Sequence, residues 1–286
     1  MSFAKVISEM LNQSHQGRHG ASRMMGPMIA QVVDNIDPED RYRVRVSYPW
    51  LGALYSQGET STGDDSKVQS FWARISSSMT GKEIGCFWLP EVDDEVFVIF
   101  EEGDFERPII VGSLWNGKDQ SPRDITYGPT AQTTDPTPNN QQGGKNDFRF
   151  FRSRMKHHIM FKDREGEGAI SMRTVKTHEL YLDDTDGDEK IQLYDKDQKQ
   201  WLEIHVPNKL ITLETDTGDI LIKALKTITL DCQDLVIKAS KTIKVDSGTS
   251  SDWKAGSTIK WESGGTSDYK AGGTMTHKAP KIDLNP

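Results

Sequence analysis

Cysteine is scarce: the 286 residues contain two, Cys86 and Cys232. Two thiols so far apart in sequence exclude a disulfide framework and point to synthesis in a reducing cytosol. Long apolar runs are also missing. No stretch approaches the ~18 residues of a membrane span. The first residues, MSFAKVISEML, lack the basic start, long apolar run and cleavage motif of a secretory leader. Positive charge is in deficit. Net charge is −8; the segment from Leu235 onward holds eight Lys and five acids and is +3, so the remainder is −11. An acidic body is poorly suited to non-specific nucleic-acid binding, which relies on Lys and Arg facing phosphate. The mildly basic end reads as solvation of strand edges. At 35% hydrophobic and 27% charged, the chain is expected to be soluble, with room for two modest domains.

Recognisable catalytic chemistry is absent as well. The seven histidines, His15, His19, His157, His158, His178, His205 and His277, form no HExxH and no two-His cluster beside a carboxylate. No P-loop, GxGxxG or GxSxG sits in a credible strand–helix context. The acidic run Asp183-Asp-Thr-Asp-Gly-Asp-Glu189 lacks the ligand spacing of an EF-hand and its closing glutamate, so a solvated β-turn is the better reading. No catalytic residue and no cofactor site is expected from these patterns.

What the chain does have is periodicity. From Leu235 it repeats every eight residues: LVIKASKT, IKVDSGTS, SDWKAGST, IKWESGGT, SDYKAGGT, MTHKAPKI. One column is large: Ile237, Val245, Trp253, Trp261, Tyr269 and His277. Three residues on, another is small or a breaker: Ser240, Gly248, Gly256, Gly264, Gly272 and Pro280. So short a period fits a strand and a bend, repeated into a β-solenoid or fibre. A second repeat, offset by 21 residues, relates Arg152, His157, Ile159, Phe161, Asp163, Gly166, Ile170 and Met172 to Arg173, His178, Leu180, Leu182, Asp184, Gly187, Ile191 and Leu193. The equivalence of His157 and His178 reads as packing. The solenoid is expected to begin irregularly near Arg149 and to become regular toward the tip.

One chain wound alone would enclose too little core to offset an ordering cost of ~1–2 kcal/mol per residue. Three chains about one axis would bring each large-column side chain against its two symmetry mates, at ~1.5–3 kcal/mol per buried side chain. The rod is therefore expected to be a trimer with Ile237, Val245, Trp253, Trp261, Tyr269 and His277 at its core, and its Gly column at the corners. A single-chain β-helix is the alternative.

Before the rod, the pattern is of strands: 29–33, 42–46, 68–75, 96–100 and 109–115, separated by turn residues that include the 58–65 loop. Five strands in about ninety residues suit a closed barrel of the OB type. Phe3, Val6, Ile7, Met10 and Leu11 share one helical stripe. The expected organisation is an N-terminal helix or arm at 1–25, an OB-fold domain at 26–117, a linker at 118–148 rich in Pro, Gly, Asn and Gln, and a trimeric β-helical spike at 149–286. The fold class is all-β, an OB barrel followed by an intertwined β-prism. An OB barrel with Phe71, Trp72, Phe87 and Trp88 could also offer stacking platforms to an oligonucleotide. The acids Glu91, Asp93, Asp94, Glu95, Glu101, Glu102 and Asp104 oppose that reading, and the aromatics are expected in the core and at a subunit interface.

Several segments, in this order, resemble the central spike of contractile injection machines, the phage tail spikes and VgrG proteins. They are VRVSYPW (Val44–Trp50), FWARI (Phe71–Ile75), GCFWLPEVDDEV (Gly85–Val96), RPIIVGSLWN (Arg107–Asn116) and THELYLDDTDGDEKI (Thr177–Ile191). The resemblance implies a spike made in the cytoplasm, built into an injection particle and driven through a target envelope, with no enzymatic role. Its implied partners are two further copies of the chain, a separate hub protein, a PAAR-type tip protein on Met275, Ile282 and Leu284, and carried effectors; nucleic acid is not among them. The chain departs from the long family form in having only about 25 residues before the barrel, and no lysozyme or fused effector region. Some phage spikes close their tip with a metal held by His-x-His, whereas this chain has Met275-Thr-His277. A metal held by three copies of His277 remains open; an interior imidazole trio, or a packing contact beneath a tip protein, is favoured over it. The runner-up functions are a trimeric tail-fibre or adhesin and an OB-type nucleic-acid binder.

Overall fold

Five of the sequence-predicted strands close into one barrel. The computed structural model describes residues 26–49, 69–134 and 145–282. The barrel strands are β1 (Met28–Asp34), β2 (Arg43–Ser47), β3 (Ala73–Ile75), β6 (Glu95–Phe100) and β7 (Pro108–Ser113). Their order is β1-β2-β3-β7-β6, returning to β1, and β3–β7 is the one parallel pair of the barrel. Strict alternation explains the closure: Ala30, Val32, Val44, Val46, Val96, Val98 and Ile110 point inward and are fully buried with Tyr48 and Ala73. The β1–β2 connection is pinned by charge. Asp37 takes two hydrogen bonds from the Arg43 guanidinium, each 2.8 Å, and the backbone N–H groups of Glu39 and Arg41 at 3.0 Å. A small hairpin, β4 (Thr80–Gly81) with β5 (Ile84–Gly85), branches off between β3 and β6.

The helix expected over 1–25 and the 58–65 loop lie outside the described residues. The segment expected as a linker is in part an ordered element. Strands β8 (Ile125–Tyr127) and β9 (Gln132–Thr134) form a hairpin whose Ile125 and Tyr127 are buried against the next sheet. Its polar, Pro- and Gly-rich composition hid two anchor residues that fill a core.

That sheet has seven strands in sequence order: β10 (Phe148–Arg152), β11 (His158–Lys162), β12 (Glu167–Arg173), β13 (Glu179–Thr185), β14 (Lys190–Tyr194), β15 (Gln200–His205) and β16 (Leu210–Thr215). Every neighbouring pair is antiparallel. Residues 148–215 are thus a meander, and the expectation of a solenoid starting near Arg149 is corrected. The 21-residue repeat is a hairpin unit, and its turns show why it doubles back. Ser153 Oγ accepts the N–H of His157 at 3.1 Å, Thr174 Oγ1 that of His178 at 3.1 Å, and Asp195 Oδ1 that of Lys199 at 2.8 Å. Each turn carries one residue with positive φ, Lys156, Thr177 and Gln198. His157 Nδ1 then accepts the Val175 N–H, and His178 Nδ1 the Lys196 N–H, tying each turn to the next. Both histidines are exposed, and the role the structure gives them is as hydrogen-bond acceptors that join the turns, not the packing read from the repeat.

The chain divides into two units, Met1–Ile220 and Leu221–Pro286, described separately. In the second, the described residues form no strand ladder, and the backbone bends at Ser240, Gly248, Gly256, Gly264, Gly272 and Pro280. These are the six positions of the small-or-breaker column.

Candidate assembly face

Because side chains alternate along a strand, the meander has two faces, and they differ completely. On one, Phe148, Met160, Ala169, Tyr181 and Tyr194 are buried beneath Ile125 and Tyr127 of the β8–β9 hairpin. A polar knot fastens the hairpin there. The Glu179 side chain is fully buried and accepts from Ser171 Oγ (2.5 Å), the Gly128 N–H (3.0 Å), Arg173 and the Tyr194 hydroxyl. Arg173 also donates to the Gly128 carbonyl at 3.3 Å. Gly128 sits at φ 74°, the left-handed conformation that favours glycine, while a Cβ there would make only an ordinary contact with the Tyr181 ring at 3.5 Å. Burial pushes the Tyr181 and Tyr194 phenols well above their ordinary pKa, so both remain donors at neutral pH. Arg173, Glu179 and Tyr194 are direct cross-strand partners, so strand register alone assembles the knot.

On the opposite face, register aligns two apolar rows across the sheet. One runs Phe151, Ile159, Met172, Leu180, Leu193, Leu202, Leu213; the other runs Phe161, Ile170, Leu182, Ile191, Ile204, Ile211. Among the described residues, nothing covers them. Phe151, Leu193 and Leu213 are 66%, 54% and 57% exposed, and Ile211 is 69% exposed. A contiguous apolar surface of this kind marks an interaction site rather than a solvated face.

The octad region repeats the pattern. Ile237, Val245, Trp253, Trp261 and Tyr269 are between 63% and 68% exposed in the single chain, and His277 is exposed with them. Met275 and Ile282, named as tip contacts, are also exposed, while Leu284 lies outside the described residues. Two members of the large column nevertheless meet. The rings of Trp253 and Trp261 lie edge to face with centroids 6.0 Å apart. Eight extended residues would span ~27 Å, so the bend between them brings the two rings together. The corner glycines carry a second message. Gly248, Gly256, Gly264 and Gly272 do not have positive φ, and a Cβ on any of them would meet nothing of this chain within 4 Å. The corners fall where the column was expected to place them, and within one chain they have no steric need of glycine.

Of the two places expected for the barrel aromatics, the core and a subunit interface, the single chain bears only on the first. Phe71, Phe87 and Trp88 lie on the surface, not in the core. Phe87 packs on Tyr42 with centroids 4.6 Å apart, and the Trp88 N–H donates to the Tyr42 hydroxyl at 2.8 Å. Trp72 lies under the guanidinium of Arg45, 4.8 Å from its centroid, so that ring is already covered. The acidic run at 183–189 is a turn with internal partners: Asp183 holds Thr185, and Asp188 pairs with Lys190 and His205. Among the described residues of one chain, no three His, Cys, Asp or Glu side chains form a group able to hold a metal. No helix among them is long and apolar enough to cross a membrane.

Comparison with known proteins agrees with the barrel. Residues 28–115 match the family described as the Type VI secretion system/phage-baseplate injector OB domain. The chain is 33% identical over 113 residues to the type VI secretion system spike protein VgrG1c of Pseudomonas aeruginosa, covering 38% of this chain and 14% of that protein. It is 34% identical over 104 residues to VgrG1a of the same organism, 35% of this chain and 15% of the relative. It is 33% identical over 101 residues to the actin cross-linking toxin VgrG1 of Vibrio cholerae, 34% of this chain and 8% of the relative. The chain thus spans well under a fifth of the length of these relatives. The resemblance to the VgrG and baseplate-spike family drawn from the sequence is borne out, and it is carried by the barrel.

Proposed function

We propose that this chain is the spike subunit of a contractile injection apparatus and works as a homotrimer. The observation that carries the reading is the pair of uncovered apolar rows on the meander, in a chain whose barrel is an injector OB domain. Three copies with these rows turned inward would bury them at about 1 kcal/mol or more per half-exposed side chain. The same arrangement would bring Ile237, Val245, Trp253, Trp261, Tyr269 and His277 to one axis. It would also account for the corner glycines, since a neighbouring strand close to Gly256 leaves no room for a Cβ. The role is mechanical: the barrels would join a separate hub, and the prism would transmit the force that breaches a target envelope. Effectors would travel with the spike. Met275, Ile282 and Leu284 would meet a separate tip protein, Met275 and Ile282 being exposed apolar side chains. His277 would supply three imidazoles at one level. A lone His per chain does not reproduce a paired-histidine site, and metal analysis of the purified trimer decides between a bound ion and packing.

The test of the reading is mass. Light scattering or native mass measurement on the full chain is expected to give three chains per particle down to low concentration. A stable, folded monomer would overturn it. Tight binding of a single-stranded oligonucleotide at low salt would favour the nucleic-acid alternative instead.

A further inference from the structure

The octads carry a second, longer period that the large and small columns do not need. Consecutive repeats differ in the order of their charges: Ile243-Lys-Val-Asp, Ser251-Asp-Trp-Lys, Ile259-Lys-Trp-Glu, Ser267-Asp-Tyr-Lys. The residue before the large column runs Lys244, Asp252, Lys260, Asp268; the residue after it runs Asp246, Lys254, Glu262, Lys270. The true repeat is sixteen residues. Both charged columns lie on the side away from the large column, as strand alternation requires. The structure agrees: Lys244 reaches Asp246 at 2.8 Å, Lys260 pairs with Glu262, and all four side chains are exposed.

Which strands lie next to each other decides what this alternation does. Each octad ends in a bend, and Trp253 and Trp261 of successive octads meet, as they would if each octad occupied one face of a prism. With three chains, a given chain returns to the same face only after three octads. The two layers between are filled by the other chains, each shifted by one octad. On every face the stacked order is therefore octad n of one chain, n+1 of the next, n+2 of the third. In that order Lys244 lies against Asp252 of a neighbouring chain, and Asp252 against Lys260 of the following one. Each charge then has an opposite charge beside it along the strand and across it, a checkerboard of favourable cross-strand pairs. Stacking equal octads, or octads two apart, sets Lys on Lys and Asp on Asp, which is unfavourable.

We propose that this sixteen-residue charge alternation is a register code that selects the one-octad offset between neighbouring chains of the rod. The proposal rests on the trimeric reading above and adds what that reading leaves open: which octad of one copy recognises which octad of the next. Apolar columns cannot do this, because a slip of one octad leaves every large residue on a large residue. Slips that set like octads together are rejected by charge. The code ends at the last repeat, where Thr276 is uncharged and Lys278 follows Lys270 with the same sign.

The test uses the full chain with its two exposed cysteines removed, C86S/C232S, carrying Lys244→Cys and Asp252→Cys together. A short bifunctional thiol cross-linker is expected to give covalent trimers, because residue 244 of each copy meets residue 252 of the next. Either single-cysteine variant should give none. Covalent dimers from Lys244→Cys alone would mean equal octads are stacked and would overturn the code. No covalent product from the double variant, in particles that light scattering shows to be trimers, would also overturn it while leaving the trimer standing. Monomeric particles before cross-linking would instead overturn the spike reading beneath it. A charge arm checks the energetics. Asp252→Lys is expected to lower the melting midpoint by several degrees, less so at high salt, and inverting both charged columns together (K244D/D246K/D252K/K254D/K260D/E262K/D268K/K270D), which keeps opposite charges both along and across the strands, should restore it. An unchanged midpoint in Asp252→Lys contradicts the code.

Discussion

The barrel and the octad rod use the same ingredients, short alternating strands with one apolar side, yet only the barrel completes a core within one chain. In the barrel, Val32, Val44, Val46, Val96 and Val98 are fully buried because five strands close on themselves. In the rod, Ile237 to Tyr269 remain exposed although the bends fall where the repeat demands. The meander stands between them, with one face finished by the β8–β9 hairpin and the other left open. On the proposed trimeric reading, the difference is one of stoichiometry. Where apolar side chains find partners inside the chain, stability is a property of the chain; where they do not, it is a property of the assembly and depends on concentration.

The strongest way to break that contrast is Leu193→Asp, in the middle of one uncovered row. Three carboxylates would meet at one level of a dry axis, at a cost of several kcal/mol for each unpaired buried charge. The expected result is loss of the trimer in sedimentation, with the barrel still folded by hydrogen exchange. A trimer that persists would mean the rows face something other than copies of this chain. Next in size is Glu179→Ala on the finished face. It strands the buried Arg173 and removes the acceptor for Ser171, Tyr194 and the Gly128 N–H, at about 3–5 kcal/mol. The hairpin at 125–134 should become protease-sensitive, and this local release should not depend on protein concentration. Concentration dependence there would erase the distinction between the two faces.

Much of the fold was legible before any coordinates, for reasons that particular residues make plain. The five barrel strands were visible because β-branched residues alternate with polar ones in short runs between turn residues. The corner positions from Ser240 to Pro280 were visible because a strict repeat needs no tertiary information. The knot around Glu179 was not. Its members, Gly128, Ser171, Arg173, Glu179 and Tyr194, are ordinary polar residues, joined only by strand register and a hairpin arriving from fifty residues upstream. The equivalence of Arg152 and Arg173 in the repeat was a signal that could have flagged the position. The direction of the chain after Arg149 was misread because apolar pairs every nine to eleven residues fit a meander and a solenoid equally well. What separates them is turn geometry at Lys156, Thr177 and Gln198, which amino-acid pattern does not display.

A smaller effect, and a sharper one, comes from Gly256→Ala. In a single chain the new methyl meets nothing and the backbone is unstrained, so the substitution should stabilise the chain by about 0.4–1 kcal/mol through the unfolded state. In a trimer with a strand passing close to the corner, the sign reverses and the melting midpoint falls. The direction of the shift therefore reports whether the rod is covered, and a rise would count against close interchain packing at the corners.

The smallest expected effect tests the barrel side of the contrast through pH. The two hydrogen bonds from Arg43, helped by the backbone N–H groups of Glu39 and Arg41, hold the Asp37 carboxyl well below its ordinary pKa. In the unfolded chain that carboxyl titrates near its ordinary value of about 3.9. Below that pH the unfolded state binds a proton that the folded state refuses, so stability falls as pH drops toward the folded pKa and is flat above about pH 5. Asp37→Asn removes this slope at the cost of the ion pair. Asp124, Glu167, Asp188 and Asp195, also lowered, lie in and beside the meander and leave its own acid dependence in place. Hydrogen exchange followed from neutral pH into acid should therefore show barrel amides losing their acid sensitivity in Asp37→Asn while meander amides keep theirs. If both regions change together, the barrel does not unfold as an independent unit, and the contrast between a self-sufficient barrel and an assembly-dependent remainder fails at its firmer end.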